Sequence, residues 1–154
     1  ASDFKEAGYS AEDLKTAGYT ALDLQAAGYS AEDLKEAGYT FARDLKEAGY
    51  AAEDLMKAGY AARDLKVAGY TAEDLRGAGY TIGDLREAGY AARELKKPSC
   101  TVSGEQKDAD CVAEDLRKAG YRAEDLKDAG YSAEDLREAG FLAEDLKQAG
   151  CTTE

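Results

Sequence analysis

Along most of the chain a leucine returns every ten residues in a fixed setting of small and polar neighbours. Tyr29-Ser30-Ala31-Glu32-Asp33-Leu34-Lys35-Glu36-Ala37-Gly38 is one such unit. Its apolar positions Ala31, Leu34 and Ala37 lie three apart, the spacing that puts them on one face of a helix. Start and stop signals flank that face. Ser30 is a favoured N-cap, and Asp33, three residues on, can reach back to close a capping box. Tyr29 and Leu34 stand where the two partners of a hydrophobic staple belong. Gly38 sits where a left-handed residue ends a helix, and Tyr39 is placed to touch Leu34 as the apolar contact of a Schellman motif. Each tyrosine thus closes one helix and opens the next.

The anchors are Phe4, Leu14, Leu24, Leu34, Leu45, Leu55, Leu65, Leu75, Leu85, Leu95, Leu116, Leu126, Leu136 and Leu146, and they predict fourteen short helices. The fold class expected is all-α: a solenoid of tandem ten-residue repeats with one short capped helix per repeat. Leucines and tyrosines (Tyr19, Tyr29, Tyr39 and their successors) form its spine. Isolated helices shorter than about 12–15 residues are marginal in water, so a unit folds only against its copies. The rhythm divides the chain into a regular array over 1–96, an irregular segment over 97–111 and a regular array over 112–154, read as one continuous solenoid.

Two interruptions stand out. One added residue in Tyr39-Thr40-Phe41-Ala42 should rearrange that cap and send Phe41 to find a buried place. At Lys97-Pro98, proline replaces the alanine before the usual glycine and should stop its helix early. Cut into fives, the chain superficially resembles pentapeptide-repeat proteins, which are built from extended backbone. That register would turn Glu12, Glu32 and Glu53 inward, at several kcal/mol each without partners, and the helical reading is preferred.

Composition narrows the functions. With 32 acidic against 20 basic residues, the net charge of −12 disfavours nucleic acid and anionic membrane surfaces. No apolar run approaches the roughly 18 residues of a membrane span. Histidine, tryptophan and asparagine are absent, which removes the commonest general base and metal ligand as well as N-glycosylation sites. There is no phosphate loop, dinucleotide fingerprint or nucleophile–base pair, so no enzyme, cofactor or metal site is read. The rows of carboxylates (Asp13, Asp23, Asp33, Asp44, Asp54 and onward) are read as caps and dipole partners rather than cation sites. Lys15, Lys35, Arg76, Arg86 and Lys127 fall late in their helices, where a cation suits the same dipole. Where Ala51, Ala61 or Ala91 replaces the capping hydroxyl, the acid three residues on persists, and the dipole role should carry those helices.

All three cysteines, Cys100, Cys111 and Cys151, fall at tyrosine positions. Cys100 and Cys111 bracket the one repeat without a leucine. A disulfide between them would substitute for the missing core contact, contributing about 2–3 kcal/mol by loop closure. Such a bond implies an oxidising compartment, hence an extracellular or cell-surface protein, with Cys151 left as a thiol for an intermolecular bond.

Both ends of the sequence break off inside a repeat, so each should show apolar surface suited to another copy. The leading functional expectation is a non-enzymatic structural protein, secreted, that self-associates end to end into a filament. The alternative is a monomeric solenoid scaffold for a protein or glycan partner, with a natural fragment or a consensus-designed array as its source.

Overall fold

A computed structural model describes residues 2–96 and 107–151; side chains of 2–3 and 107–112 are not described. Among these residues there are fourteen helices and no strand. In the order of the chain they are α1 Ser2–Glu6, α2 Ala11–Thr16, α3 Ala21–Ala26, α4 Ala31–Glu36, α5 Ala42–Glu47, α6 Ala52–Lys57, α7 Ala62–Val67 and α8 Ala72–Ala78. There follow α9 Ile82–Glu87, α10 Ala92–Leu95, α11 Lys107–Lys118, α12 Ala123–Asp128, α13 Ala133–Glu138 and α14 Ala143–Gln148. Every predicted anchor lies in its own helix.

The local signals act as the residue pattern implies. Ser10, Thr20, Ser30, Thr71, Thr81 and Ser132 each accept from the N–H of the Asp three residues on, and that Asp accepts from the cap's own N–H. At four of the caps without a hydroxyl the carboxylate half survives, whereas Phe41 and Ala61 form no such box. The Ala51 N–H donates to Asp54 at 3.3 Å and the Ala91 N–H to Glu94 at 2.7 Å. The same bond forms from Arg122 to Asp125 at 2.9 Å and from Leu142 to Asp145 at 3.1 Å. The acid at the third position is therefore a hydrogen-bonding cap in its own right, beyond the dipole role. At the other end, the Tyr39 N–H donates to the Leu34 carbonyl at 2.9 Å and the Gly38 N–H to Lys35 at 2.9 Å. These are the two bonds of a Schellman motif, with Gly38 left-handed at φ +81°.

The chain forms two compact units, Ala1–Tyr80 and Thr81–Glu154. In the first, helices pack chiefly on the helix two repeats away: α2 on α4, α4 on α6, α6 on α8, and in parallel α3 on α5 and α5 on α7. In the second, α10 packs on α12, α12 on α14 and α11 on α13. Each unit is thus a solenoid with two repeats per layer, a pairing that the tenfold period alone does not reveal. The anchor leucines from Leu14 to Leu136 are buried, ten of them with under 2% of their surface exposed, and among the described residues no buried polar or charged residue joins them. Small alanines at the first helical position (Ala31, Ala42, Ala52, Ala62) are buried beside them.

Several expectations need correction. Tyr19 is 37% exposed and Tyr39 half-buried, whereas Tyr29 is buried as expected. Tyr19 belongs to the first described layer, where its ring packs edge-on against Phe4 with centroids 5.3 Å apart. Leu146, in the last described helix, is only half-buried because nothing further stacks on α14 among the described residues. Phe41 becomes the N-cap of α5, makes no side-chain cap bond and stays 74% exposed. The added residue displaces Thr40 from the cap position without opening a pocket for the ring. By contrast, the early stop expected ahead of Pro98 is present: α10 ends after four residues, with Lys96 in extended backbone. Finally, Cys111 lies inside α11, so the last part of segment 97–111 is helical and Cys111 does not occupy a turn.

Candidate interaction surface: the ladder between layers

Two kinds of rung join a repeat to the one two places away. The first is a tyrosine hydroxyl donating to a tyrosine carbonyl. In the first unit, Tyr29 donates to Tyr9 at 2.5 Å, Tyr39 to Tyr19 at 2.6 Å, Tyr50 to Tyr29 at 2.6 Å and Tyr70 to Tyr50 at 2.6 Å. Tyr60 donates likewise to Tyr39, and Tyr80 to Tyr60. The separation is 20 residues, or 21 where the pair spans the residue added near Phe41. In the second unit Tyr121 donates to Tyr90 at 2.7 Å across 31 residues. Eleven extra residues are therefore inserted between one rung and the next without breaking the register of the layers.

The second rung is a cation. Lys15 Nζ donates to the carbonyls of Ala37 (3.0 Å) and Gly38 (2.7 Å) and lies 4.9 Å from the centre of the Tyr39 ring. Lys35 does the same to Ala58 (2.8 Å) and Gly59 (2.7 Å) over Tyr60 at 5.1 Å. Lys5 reaches Gly28 at 2.7 Å, and Lys46 reaches Gly69 while lying 4.8 Å over Tyr70. In the second unit Lys96 bonds Gly130 at 2.6 Å, Lys127 bonds Ala149 at 2.7 Å, and Arg117 Nε bonds Ala139 at 2.6 Å. The late basic residues therefore serve the C-terminal carbonyls of the helix two repeats on, not chiefly the dipole of their own helix. All of them make charge-assisted bonds at the negative end of a helix, and Lys5, Lys15, Lys35, Lys46 and Lys96 add a cation–π contact of about 0.5–2 kcal/mol.

The rungs shift the phenols, and the caps shift the acids. Burial pushes the Tyr50, Tyr70 and Tyr121 hydroxyls up to about 12, aided at Tyr50 by the Asp33 and Asp54 charges. Asp13 and Asp23 are held below the usual carboxylate range by the Ser10 and Thr20 hydroxyls and backbone N–H groups. For Asp33 and Asp74 the backbone N–H of the cap is the larger cause.

Glycine substitution isolates the backbone strain at the helix stop. A Cβ on Gly59 (φ +79°) would lie 2.9 Å from Lys35 Nζ, whereas one on Gly49 (φ +93°) meets nothing within 4 Å. Gly49→Ala is expected to cost about 1–2 kcal/mol from the left-handed conformation alone. Gly59→Ala should cost about the same, because the only atom it meets is the end of the flexible Lys35 side chain, which can give way. A loss at Gly59 far above that at Gly49 in chemical denaturation would contradict this.

Among the described residues no three His, Cys, Asp or Glu side chains converge as a metal site, and no helix is long and apolar enough to cross a membrane. Cys151 is a free thiol, half-buried. The expected disulfide between Cys100 and Cys111 falls outside what is described, namely Cys100 and the Cys111 side chain.

Short capped helices, two to a layer and bound by repeating rungs, define a helical tandem-repeat protein. The family model described as "Decapeptide repeat region" matches residues 1–43, 40–104 and 90–154, and the chain belongs to that family. No curated protein and no solved structure matches it.

Proposed function

We propose that this is a non-enzymatic structural protein whose arrays stack end to end into a filament. The supporting observation is the complementarity of the first and last described layers. On one face, Phe4 is half-buried, Tyr9 is 53% exposed, and the carbonyls of Gly8 and Gly18 close α1 and α2. On the other, an open groove of about 650 Å³ is lined by Ala133, Arg137, Ala143, Leu146, Lys147 and Cys151. Arg137 and Lys147 hold the rung position of their repeats. With α1 of a second copy over α13 and α2 over α14, they would cap Gly8 and Gly18, as Arg117 and Lys127 cap the ends of α13 and α14. Sedimentation velocity and negative-stain microscopy of the purified chain test this. Concentration-dependent linear species are expected, and a strict monomer at high concentration contradicts the reading.

Secretion belongs to the same proposal, through the Cys100–Cys111 bond. Thiol titration of the denatured, unreduced protein should find Cys151 alone reactive, and three reactive thiols would remove the argument.

A second reading, a scaffold for a protein or glycan, draws on Leu22 (58% exposed), Phe41 (74%) and Val67 (73%). They stand on α3, at the cap of α5 and on α7, one stacked set of helices. Replacing all three with serine leaves filaments intact under the first reading and abolishes ligand binding under the second.

A further inference from the structure

The cation rung has a defined socket: the last two carbonyls of a helix, Ala and Gly, with the face of the following tyrosine beside them. Lys15 and Lys35 each occupy one in full. The corresponding socket at the end of α5 consists of Ala48, Gly49 and Tyr50, and the residue two repeats earlier that should serve it is Gln25, not lysine. Met56 is the other departure in the first unit, but it covers its site with an apolar chain. Its Sδ and Cε lie 3.3 and 3.4 Å from where a Gly79 Cβ would stand. Around the same point on Gly49 nothing lies within 4 Å, and among the described residues the lysine-to-carbonyl bonds that serve Gly28, Gly38, Gly59 and Gly69 have no counterpart at Ala48 or Gly49.

The surroundings of Gly49 suit a cation. Gln25, Glu32, Gly49, Tyr50 and Asp54 line a groove of about 410 Å³. Lys57 lines it too, but its ammonium is held by Glu53 at 2.6 Å. The Tyr50 ring is fixed by its hydroxyl bond to the Tyr29 carbonyl, and the carbonyls stand at the negative end of α5. The equivalent groove in the second unit, lined by Tyr90, Tyr121 and Asp125, takes in Arg86, whose guanidinium lies 5.9 Å over the Tyr121 ring.

We infer that the Ala48–Gly49–Tyr50 socket binds a primary alkylammonium group supplied from outside the chain. The group enters as the lysine side chain does elsewhere, ammonium to the two carbonyls and methylenes along the ring. Glu32 and Asp54 add attraction, and they favour a ligand with a second positive charge. An alkylamine, the end of a polyamine and a lysine side chain on a peptide share this chemistry. The inference concerns a lateral groove within Ala1–Tyr80 and does not depend on end-to-end stacking.

The test is amide chemical-shift mapping of the full chain, titrated at constant ionic strength with n-butylammonium, spermidine and Nα-acetyl-lysine methylamide, with tetramethylammonium as the control cation. Saturable shifts confined to Gln25 and residues 48–51 are expected with the primary amines and not with tetramethylammonium. The tightest of the three identifies the source of the ammonium. Gln25→Lys, an exposed change that supplies the cation internally, should abolish the response and raise the melting temperature. Gln25→Met should abolish it by covering the carbonyls as Met56 does. Shifts spread over the acidic surface, an equal response to tetramethylammonium, or undiminished binding in Gln25→Lys would each overturn the assignment.

Discussion

Leu55→Ala is expected to lower stability by about 2–5 kcal/mol, the range for truncating a fully buried leucine. Leu55 has none of its surface exposed, and α6 packs on both α4 and α8. Because stability in such arrays is carried by contacts between neighbouring units, the loss should also broaden the transition. Leu146→Ala, at a half-buried position, should cost far less. Urea denaturation followed by far-UV circular dichroism measures both. Similar losses at the two positions would contradict the spine described here.

Raising the pH should unfold the array abruptly. The folded-state pKa values of Tyr50, Tyr70 and Tyr121 are raised from 10.0 to about 12, and those of Tyr29, Tyr39 and Tyr60 are raised as well. A group shifted upward in the folded state stabilises it fully below the unfolded value and ceases to do so as pH climbs through the folded one. Stability should therefore hold to pH about 10 and be lost between about 10 and 12. A tyrosinate can no longer donate to the carbonyl two repeats away, so each rung is lost with its proton. Tyrosinate absorbance and helix content should change together. Ionisation at the ordinary value with helices intact would contradict the buried ladder. The lowered Asp13, Asp23, Asp33 and Asp74 act in the opposite sense: their contribution is present above pH about 3.8 and disappears as the pH falls through their folded values.

What could be read from the chain alone was whatever a single repeat encodes. Ser30, Asp33, Leu34, Gly38 and Tyr39 act on neighbours within five residues, so cap, anchor and stop were all legible. The partner of each repeat was not. Lys35 and Tyr60 lie 25 residues apart, and nothing in a tenfold period distinguishes packing on the next copy from packing on the one after it. The purpose of the late lysines was misassigned for that reason: Lys35 fits the end of its own helix in sequence and the end of α6 in space. Phe41 was misplaced because an added residue shifts the backbone cap without creating volume for a ring. One hint was available. Tyrosine recurs where any apolar residue would serve as a staple, and its hydroxyl needs an acceptor that the local helix does not provide.

Packing two repeats apart is the claim on which the ladder, the lateral socket and the end faces rest. Nuclear Overhauser contacts between lysine ε-protons and tyrosine rings in selectively labelled protein read it directly. Lys35 should contact Tyr60 and Lys46 should contact Tyr70, with Nζ 5.1 and 4.8 Å from the ring centres. Contacts from Lys35 to Tyr50, one repeat away, with none to Tyr60, would contradict it.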